Sequence, residues 1–277
     1  WWRSRRATQR PRAGRRSARF RVARSNPAAG YPLLVASFGP IAPHYDSLMS
    51  LVPYKMWASY YQLLLAHQDL RPRRLLDVCC GTGILAEQFA REGYTLAGID
   101  LSAPMIEEAR RKAERHHLAI RYEVADAATF DLGERFDAAY SFFDSLNYIV
   151  DPTQLAEAMH RVAEHLTPGG SWIFDLNTAY AFETKMFDQQ DTRNKTAVKY
   201  NWVGDYNAET RVIEVAMEFW VDGGHFREIH VQRAHSHDEI VEMLEDAGFG
   251  AIRAYSSYTL DPPRKKADRL HYTAIRI

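Results

Sequence analysis

The sequence predicts an α/β protein built on a doubly wound, mostly parallel sheet, with a small antiparallel sheet inserted late in the chain. Three observations carry this. Short apolar strands alternate with helix-patterned segments between residues 75 and 176. A Gly-bearing turn, Gly81-Thr82-Gly83, joins the first strand to the helix after it. Between residues 198 and 234, three strand-like segments follow one another with no helix between them.

Residues 1–34 are rich in Arg, Ser, Ala and Pro and show no helical or strand period. Such a segment repels itself and has little apolar surface to bury, so disorder is expected. Three readings of it compete: electrostatic binding of nucleic acid, an organellar transit peptide, and non-native sequence. The start at Trp1 rather than Met favours the last.

From about Ile41 the sequence changes character. Tyr54, Trp57, Tyr61, Leu64 and Leu65 fall at helical spacing, which predicts a helix over 53–67. A strand follows over 75–78, then the glycine turn, a helix over 84–92 and a strand over 95–100. Ser102 caps the next helix, with Pro104 in its first turn and Met105, Ile106, Ala109 and Ala113 on one face. Strands are expected at 121–124 and 136–142, and Pro152 opens a helix running to about Leu166. Pro168-Gly169-Gly170 is expected to stop that helix before a strand at 171–176.

The three unbroken strands come next, at 198–203, 211–221 and 226–234, with a hairpin signal at Asp222-Gly223-Gly224. Ser236 and Glu239 then form a capping box. Ile240, Met243, Leu244 and Ala247 give that helix its apolar face, and Gly248 ends it. Strands at 251–258 and 270–277 finish the chain. The division expected is a leader over 1–34, a main domain over 41–179 and 236–277, and an insertion over 180–235.

Composition narrows the class. The 277 residues are 46% hydrophobic and 12% aromatic, enough for one large domain with a sizeable core. No apolar run approaches the roughly 18 residues a membrane-spanning helix needs, so a cytoplasmic protein without a membrane partner is expected. Basic and acidic side chains are equal at 35 each, but ten of the arginines precede the first acid, Asp46. The body is therefore acidic, which disfavours nucleic acid as a partner. Two adjacent cysteines, Cys79 and Cys80, staple nothing and with no third thiol make no zinc site, so no metal is expected.

The chemistry concentrates at Asp77-Val78-Cys79-Cys80-Gly81-Thr82-Gly83, between a strand and a helix. Glycine lets the backbone turn sharply and a ligand approach it closely, and the helix start offers free N–H groups and a positive dipole end. Asp100 ends the next strand, where a carboxylate can accept both hydroxyls of a ribose. Gly81, Gly83 and Ala86 also satisfy the dinucleotide pattern, which keeps a nicotinamide-dependent oxidoreductase and a non-catalytic cofactor-binding module open. Asp77 opposes the dinucleotide reading, because it stands inside the strand where such sites carry an apolar residue. Asp126-Ala127 opposes it too, being suited to an adenine amino group.

LLDVCCGTG, GIDLSAPMIEEA, VADAATF and HLTPGG leading into WIFDLN resemble, in order, the motifs of class I S-adenosylmethionine-dependent methyltransferases. The resemblance spans about residues 44–277. YDSLM with PYKMW, FFDSLNYI and HVQRAHSHDEI resemble a bacterial small-molecule subgroup that carries an inserted antiparallel sheet. The resemblance implies a seven-stranded Rossmann-like methyltransferase sheet, S-adenosyl-L-methionine as cofactor and a small-molecule acceptor, with the chain a monomer or homodimer.

It also implies residue roles. Gly81 and Gly83 pass close to the methionine part and the adenosine. Asp77 anchors the loop or the methionine amino group. Asp100 holds the ribose, Leu101 and Met105 lie against the adenine, and Asp126 and Ala127 read its edge. Phe142 lies near the sulfonium, and Tyr45 and Trp57 close over the cofactor.

Transfer from a sulfonium mainly requires alignment, and a base only if the acceptor arrives protonated. Candidates on the acceptor side are Asp144, Asn147 and Tyr148 after the fourth strand, and His230, His235 and His237 near the insertion. The inserted sheet is expected to roof the active site, with Arg233 and His235 facing inward.

Overall fold

In the computed structural model the described residues are 38–193 and 196–277; the expectations for the 1–34 leader lie outside them. These described residues form one compact unit, the four-stranded sheet included.

In chain order the helices are α1 (Tyr45–Leu48), α2 (Tyr54–His67), α3 (Ile84–Arg91), α4 (Ala103–Arg115), α5 (Pro152–Glu164), α6 (Ala179–Glu183) and α7 (His237–Asp246). The strands are β1 (Arg74–Val78), β2 (Thr95–Asp100), β3 (Ile120–Val124), β4 (Phe136–Ser141), β5 (Leu166–Asn177), β6 (Gln189–Asp191), β7 (Lys199–Asn207), β8 (Val212–Val221), β9 (Gly224–Arg233), β10 (Phe249–Ser256) and β11 (Arg269–Arg276).

The main sheet has the order β10-β11-β5-β4-β1-β2-β3. β11 runs antiparallel to both of its neighbours, and the pairs from β5 to β3 are all parallel. The order reverses between β1 and β4, so the crevice beyond their carboxyl ends is where an open α/β sheet binds ligands. Alternate residues of each strand feed two cores. Leu75, Leu96, Ala138, Tyr140 and Ile173 pack with α2, α3 and α4. Leu76, Val78, Ile99, Trp172 and Phe174 pack on the opposite face with α5 and α7.

The second sheet has the order β6-β7-β8-β9 and is antiparallel throughout. Its β8–β9 hairpin turns on Asp222 and Gly223, both at positive φ (50° and 77°), the conformation that a two-residue turn between twisted strands requires. The helix caps follow their sequence signals: Ser102 accepts from the Met105 N–H, and Ser236 and Glu239 close a reciprocal capping box.

Three local expectations change. α5 ends at Glu164, ahead of Pro168-Gly169-Gly170. Those residues instead kink β5, which already pairs at Leu166 with Phe136 and resumes at Ser171 with Ala138. Gly170 is needed there because a β-carbon would meet the carbonyl oxygens of Thr167 and Asp137. The short elements α1, α6 and β6 carry too few residues to show a period, and the sequence predicts none of them.

Among the described residues no helix is long and apolar enough to cross a membrane, and no group of three or more His, Cys, Asp or Glu could hold a metal ion.

Candidate active site

The loop from Cys79 to Gly83 leaves β1 through left-handed backbone at Cys79, Gly81 and Gly83 (φ 63°, 56° and 74°). It is tied back to the sheet by the Cys80 N–H donating to the Ile99 carbonyl at 2.8 Å. Gly83 caps α3, whose first helical bond runs from the Glu87 N–H to the Gly83 carbonyl at 2.9 Å, so the preceding N–H groups of the first turn point out toward the loop. Asp100 fixes the loop from the neighbouring strand. One carboxylate oxygen accepts the Gly81 N–H and the other the Ser102 N–H, each at 2.8 Å.

A β-carbon added to Gly81 would meet nothing within 4 Å, so open space lies before the loop. Leu101 and Val124, apolar yet 59% and 48% exposed, stand beside it at the ends of β2 and β3. Asp126 turns one oxygen to the Ala128 N–H at 2.8 Å, while Ala127 and Met105 are buried. Asp77 is buried beneath the loop. Burial pushes its carboxyl up to about 8; the Tyr140 hydroxyl alongside offsets this in part, and the Asp100 charge adds to it.

The segment 38–48 crosses between the two sheets. Asp46 accepts from the Thr82 hydroxyl of the glycine loop and from Lys112 of α4, both at 2.6 Å. Lys112 lies 3.4 Å from Glu87, which in turn contacts His116 at 2.8 Å. Tyr45 is hydrogen-bonded to Tyr54, and burial together with the charges of Asp144, Asp46 and Asp100 raises its pKa. Trp57 is buried against Tyr258 (5.8 Å, interplanar 11°) and Phe143 (5.0 Å). Phe142 is buried beside Tyr61 and His271.

After β4 the chain turns sharply through Phe143 and Asp144, both left-handed. Asp144 accepts from Arg269 at 2.6 Å and from Gln232 at 2.9 Å, and its N–H donates to Asp175 at 2.8 Å. Arg269 also pairs with Asp175, so one buried cation joins two buried carboxylates. The Asn147 amide donates to the carbonyls of Asn177 (3.1 Å) and Arg233 (2.7 Å), and its oxygen accepts the Asn177 N–H (2.9 Å). The Tyr148 hydroxyl meets His230 Nδ1 at 2.9 Å, and His230 Nε2 meets Glu228 at 2.8 Å. His235 bonds the Ile149 carbonyl through Nε2 at 2.9 Å, and burial lowers its pKa to about 4. His237 faces Tyr272 at 3.2 Å.

These contacts correct the expectation about which residues of the inserted sheet face inward. Glu228, His230 and Gln232 are 3%, 1% and 1% exposed, whereas Ile229 between them is 37% exposed. Arg233 points the other way, to Glu239 of α7 at 3.0 Å.

The "Methyltransferase domain" family matches residues 75–170. A protein of Geobacillus sp. (strain WCH70) named as a methyltransferase is 30% identical over 236 residues, covering 83% of this chain and 96% of that protein. The chain belongs to the S-adenosylmethionine-dependent methyltransferases. The crystal structure of such a methyltransferase from Clostridium acetobutylicum ATCC 824 matches it with a TM-score of 0.76 and 26% identity, over 86% of this chain and 98% of that one. A dTDP-3-amino-3,4,6-trideoxy-alpha-D-glucopyranose N,N-dimethyltransferase from Streptomyces venezuelae is 31% identical over 166 residues, 57% of this chain and 67% of that enzyme. S-adenosylmethionine is thus the cofactor of this methyltransferase, and the nicotinamide reading finds no support.

The residues present fit that cofactor. Open space fronts Gly81, the exposed apolar side chains Leu101 and Val124 could cover a flat base, and Asp77 is a carboxyl that a nearby cation would ionise. Sequence reasoning missed Asp46, Asp175, Glu228, Gln232 and Arg269. The available signal was the i, i+2, i+4 row Glu228, His230, Gln232, a polar face on one strand, of which the sequence reading names His230 alone as a candidate.

Proposed function

We propose that this methyltransferase methylates a nitrogen or oxygen atom of a small molecule held between the turn after β4 and the inner face of β9. The observation that carries this is the row Glu228, His230 and Gln232, buried polar side chains turned toward Tyr148, Asp144 and the 38–48 segment. A polar row costs free energy to bury in a sheet face unless it is hydrogen-bonded, and apart from the His230–Glu228 pair its side-chain bonds run to Tyr148, Asp144 and the 38–48 segment rather than to its own sheet. The relatives named as amino-sugar N,N-dimethyltransferases support a small acceptor, as does the acidic body. We take the reaction to run in the cytoplasm.

S-adenosylmethionine supplies an electrophilic methyl on a good leaving group, so the chain has to bind, align and exclude water. In this reading Gly81 and Gly83 keep the loop low enough for close approach, Asp77 receives the methionine ammonium and Asp100 the ribose hydroxyls. Leu101 covers the adenine, with Met105 supporting from the core. Asp126 and Ala127 meet its edge. Phe142, Tyr45 and Trp57 close the reacting end.

Asp144 and Asn147 act by holding the turn, because their polar atoms are committed to Arg269, Gln232 and backbone groups. His235 supports the same turn through Ile149. Burial and the Asp144 charge hold the Tyr148 phenol in its protonated form, so it is suited to relay a proton: its oxygen accepts the acceptor's proton as its own passes to His230. If His230 donates Nε2–H to Glu228, its Nδ1 accepts the phenol proton, and the Tyr148 oxygen is left to accept from the substrate.

The test is transfer of labelled methyl from S-adenosylmethionine to a panel of amino sugars and their nucleotides, phenols and amines, with protein and RNA as controls. Label appearing in protein or RNA and in no small molecule would refute the acceptor class while leaving the family intact.

A further inference from the structure

Glu228 belongs to the four-stranded sheet, yet two of its three hydrogen-bond donors come from the other end of the chain. Its Oε2 accepts the Phe38 N–H at 3.0 Å and Oε1 the Ile41 N–H at 3.3 Å; His230 is the third partner. The carboxylate is buried. A buried carboxylate is tolerated only when its lone pairs are met by good donors, and charge-assisted bonds to N–H groups are the strong ones. With residues 38–41 lifted away, His230 alone would remain to it. Glu228 therefore suits docking of that segment better than it suits the stability of its own sheet.

The same segment is anchored on the cofactor side. Asp46 bonds Thr82 of the glycine loop and Lys112 of α4. The Phe38 carbonyl accepts from the hydroxyl of Ser102, the residue whose N–H holds Asp100. Between the anchors, Ile41 and Ala42 are buried, the Phe38 ring stands edge-on to His230 (4.6 Å, 90°), and Tyr45 reaches a position where the charges of Asp144 and Asp100 both act on it. Segment 38–48 is thus a strap with one end on the four-stranded sheet and the other on the loop and helix that frame the cofactor space.

We infer that Glu228 is a positioning residue for S-adenosylmethionine: by latching the strap closed from the four-stranded sheet, it raises affinity for a cofactor that it does not itself touch. This rests on the reading that the cofactor lies against Gly81 and Asp100, beneath Tyr45. If the cofactor binds fully only under a closed strap, apparent affinity scales with the closed fraction.

The test uses the full chain, with S-adenosylhomocysteine as the probe in titration calorimetry and amide hydrogen exchange as a second readout. Glu228→Gln keeps shape and one acceptor oxygen but loses the charge; Glu228→Ala loses both. The expected order of affinity is wild type, then Gln, then Ala, with Ala weakened by about tenfold or more as the closed fraction falls to about a tenth. The Phe38 and Ile41 amides should exchange faster in both variants, while those of β8 and β9 keep their protection, and saturating S-adenosylhomocysteine should slow the strap amides again.

Unchanged affinity in both variants overturns the proposal. So does faster exchange spread across β8 and β9, which would mark Glu228 as a residue of sheet stability. Should Glu228→Ala fail to fold, the Gln variant with its exchange pattern decides alone. Failure of S-adenosylhomocysteine to bind the wild type would instead strike the cofactor reading beneath it.

Discussion

The hydroxyl of Tyr122, on β3, occupies the space that a β-carbon on Gly83 would need. The same ring also fills the space beside Gly98 of β2, so one aromatic side chain is packed beneath the loop that two glycines leave room for. The glycines at 83 and 98 therefore meet a packing requirement that stands apart from any ligand.

Gly83→Ala combines left-handed backbone with that overlap. Together these should cost about 2–4 kcal/mol, or roughly 5–10 °C in melting temperature. Tyr122→Phe in the same chain should recover only the overlap part. A Gly83→Ala protein that melts with the wild type would show that the loop moves freely off Tyr122.

Asp77 makes the protein less stable toward alkaline pH. Its folded carboxyl holds its proton up to about 8, while the unfolded chain loses it near the ordinary 3.8. Stability is therefore full below about 4 and declines as pH rises toward about 8, and Asp77→Asn should flatten that decline. If Asp77 receives the methionine ammonium, binding at neutral pH must expel about one proton. Calorimetric titration with S-adenosylhomocysteine in buffers of different ionisation heat measures this directly; no buffer dependence, or the same dependence in Asp77→Asn, would exclude the pairing.

His235 acts in the opposite direction. Burial holds its ring neutral and lowers the pKa from 6.5 to about 4. The unfolded chain takes up that proton at the ordinary value, so the stability His235 supports is complete above 6.5 and lost as pH falls toward about 4, a span of up to about 3 kcal/mol. His235→Gln keeps a donor for the Ile149 carbonyl but cannot take up the proton. Its urea-unfolding free energy should vary less between pH 6.5 and 4.5 than that of the wild type. Parallel curves would mean that the ring is not responsible.

Gln232 and Arg233 are neighbours on opposite faces of β9, and they should separate cleanly. Gln232→Ala removes a contact to Asp144 in the turn after β4 and should change acceptor kcat/KM by about tenfold, with S-adenosylhomocysteine affinity held within about twofold. Arg233→Ala removes only a partly exposed contact to Glu239, worth about 1 kcal/mol of stability or less, and should leave acceptor use alone. The reverse pattern would move the acceptor to the other face of the sheet.

The contrast between these two residues also marks how far the sequence could be read. The main sheet was legible because its strands are short apolar runs between capped helices, and the caps at Ser102 and Ser236 are local chemistry that tertiary packing did not override. The cofactor side was legible for the same reason: the glycine loop and Asp100 lie on neighbouring strands in fixed register, Asp77 opposite Gly98 and Val78 opposite Ile99. On β9 the expectation that Arg233 faces inward fails because alternation in the sequence does not say which face meets the rest of the protein. Here Ile229 faces outward so that Glu228, His230 and Gln232 can meet groups from distant segments. Arg269 carried no local signal at all: its two carboxylates lie 94 and 125 residues earlier in the chain.

That last spacing bears on how the enzyme comes into being. Asp144 and Asp175 emerge early during synthesis, and the cation that neutralises both sits at the start of β11, which follows every other described element and inserts between β10 and β5. Until that strand arrives, neither carboxylate has its guanidinium partner, so the buried link between the turn after β4 and β5 is among the last side-chain contacts that a growing chain can complete.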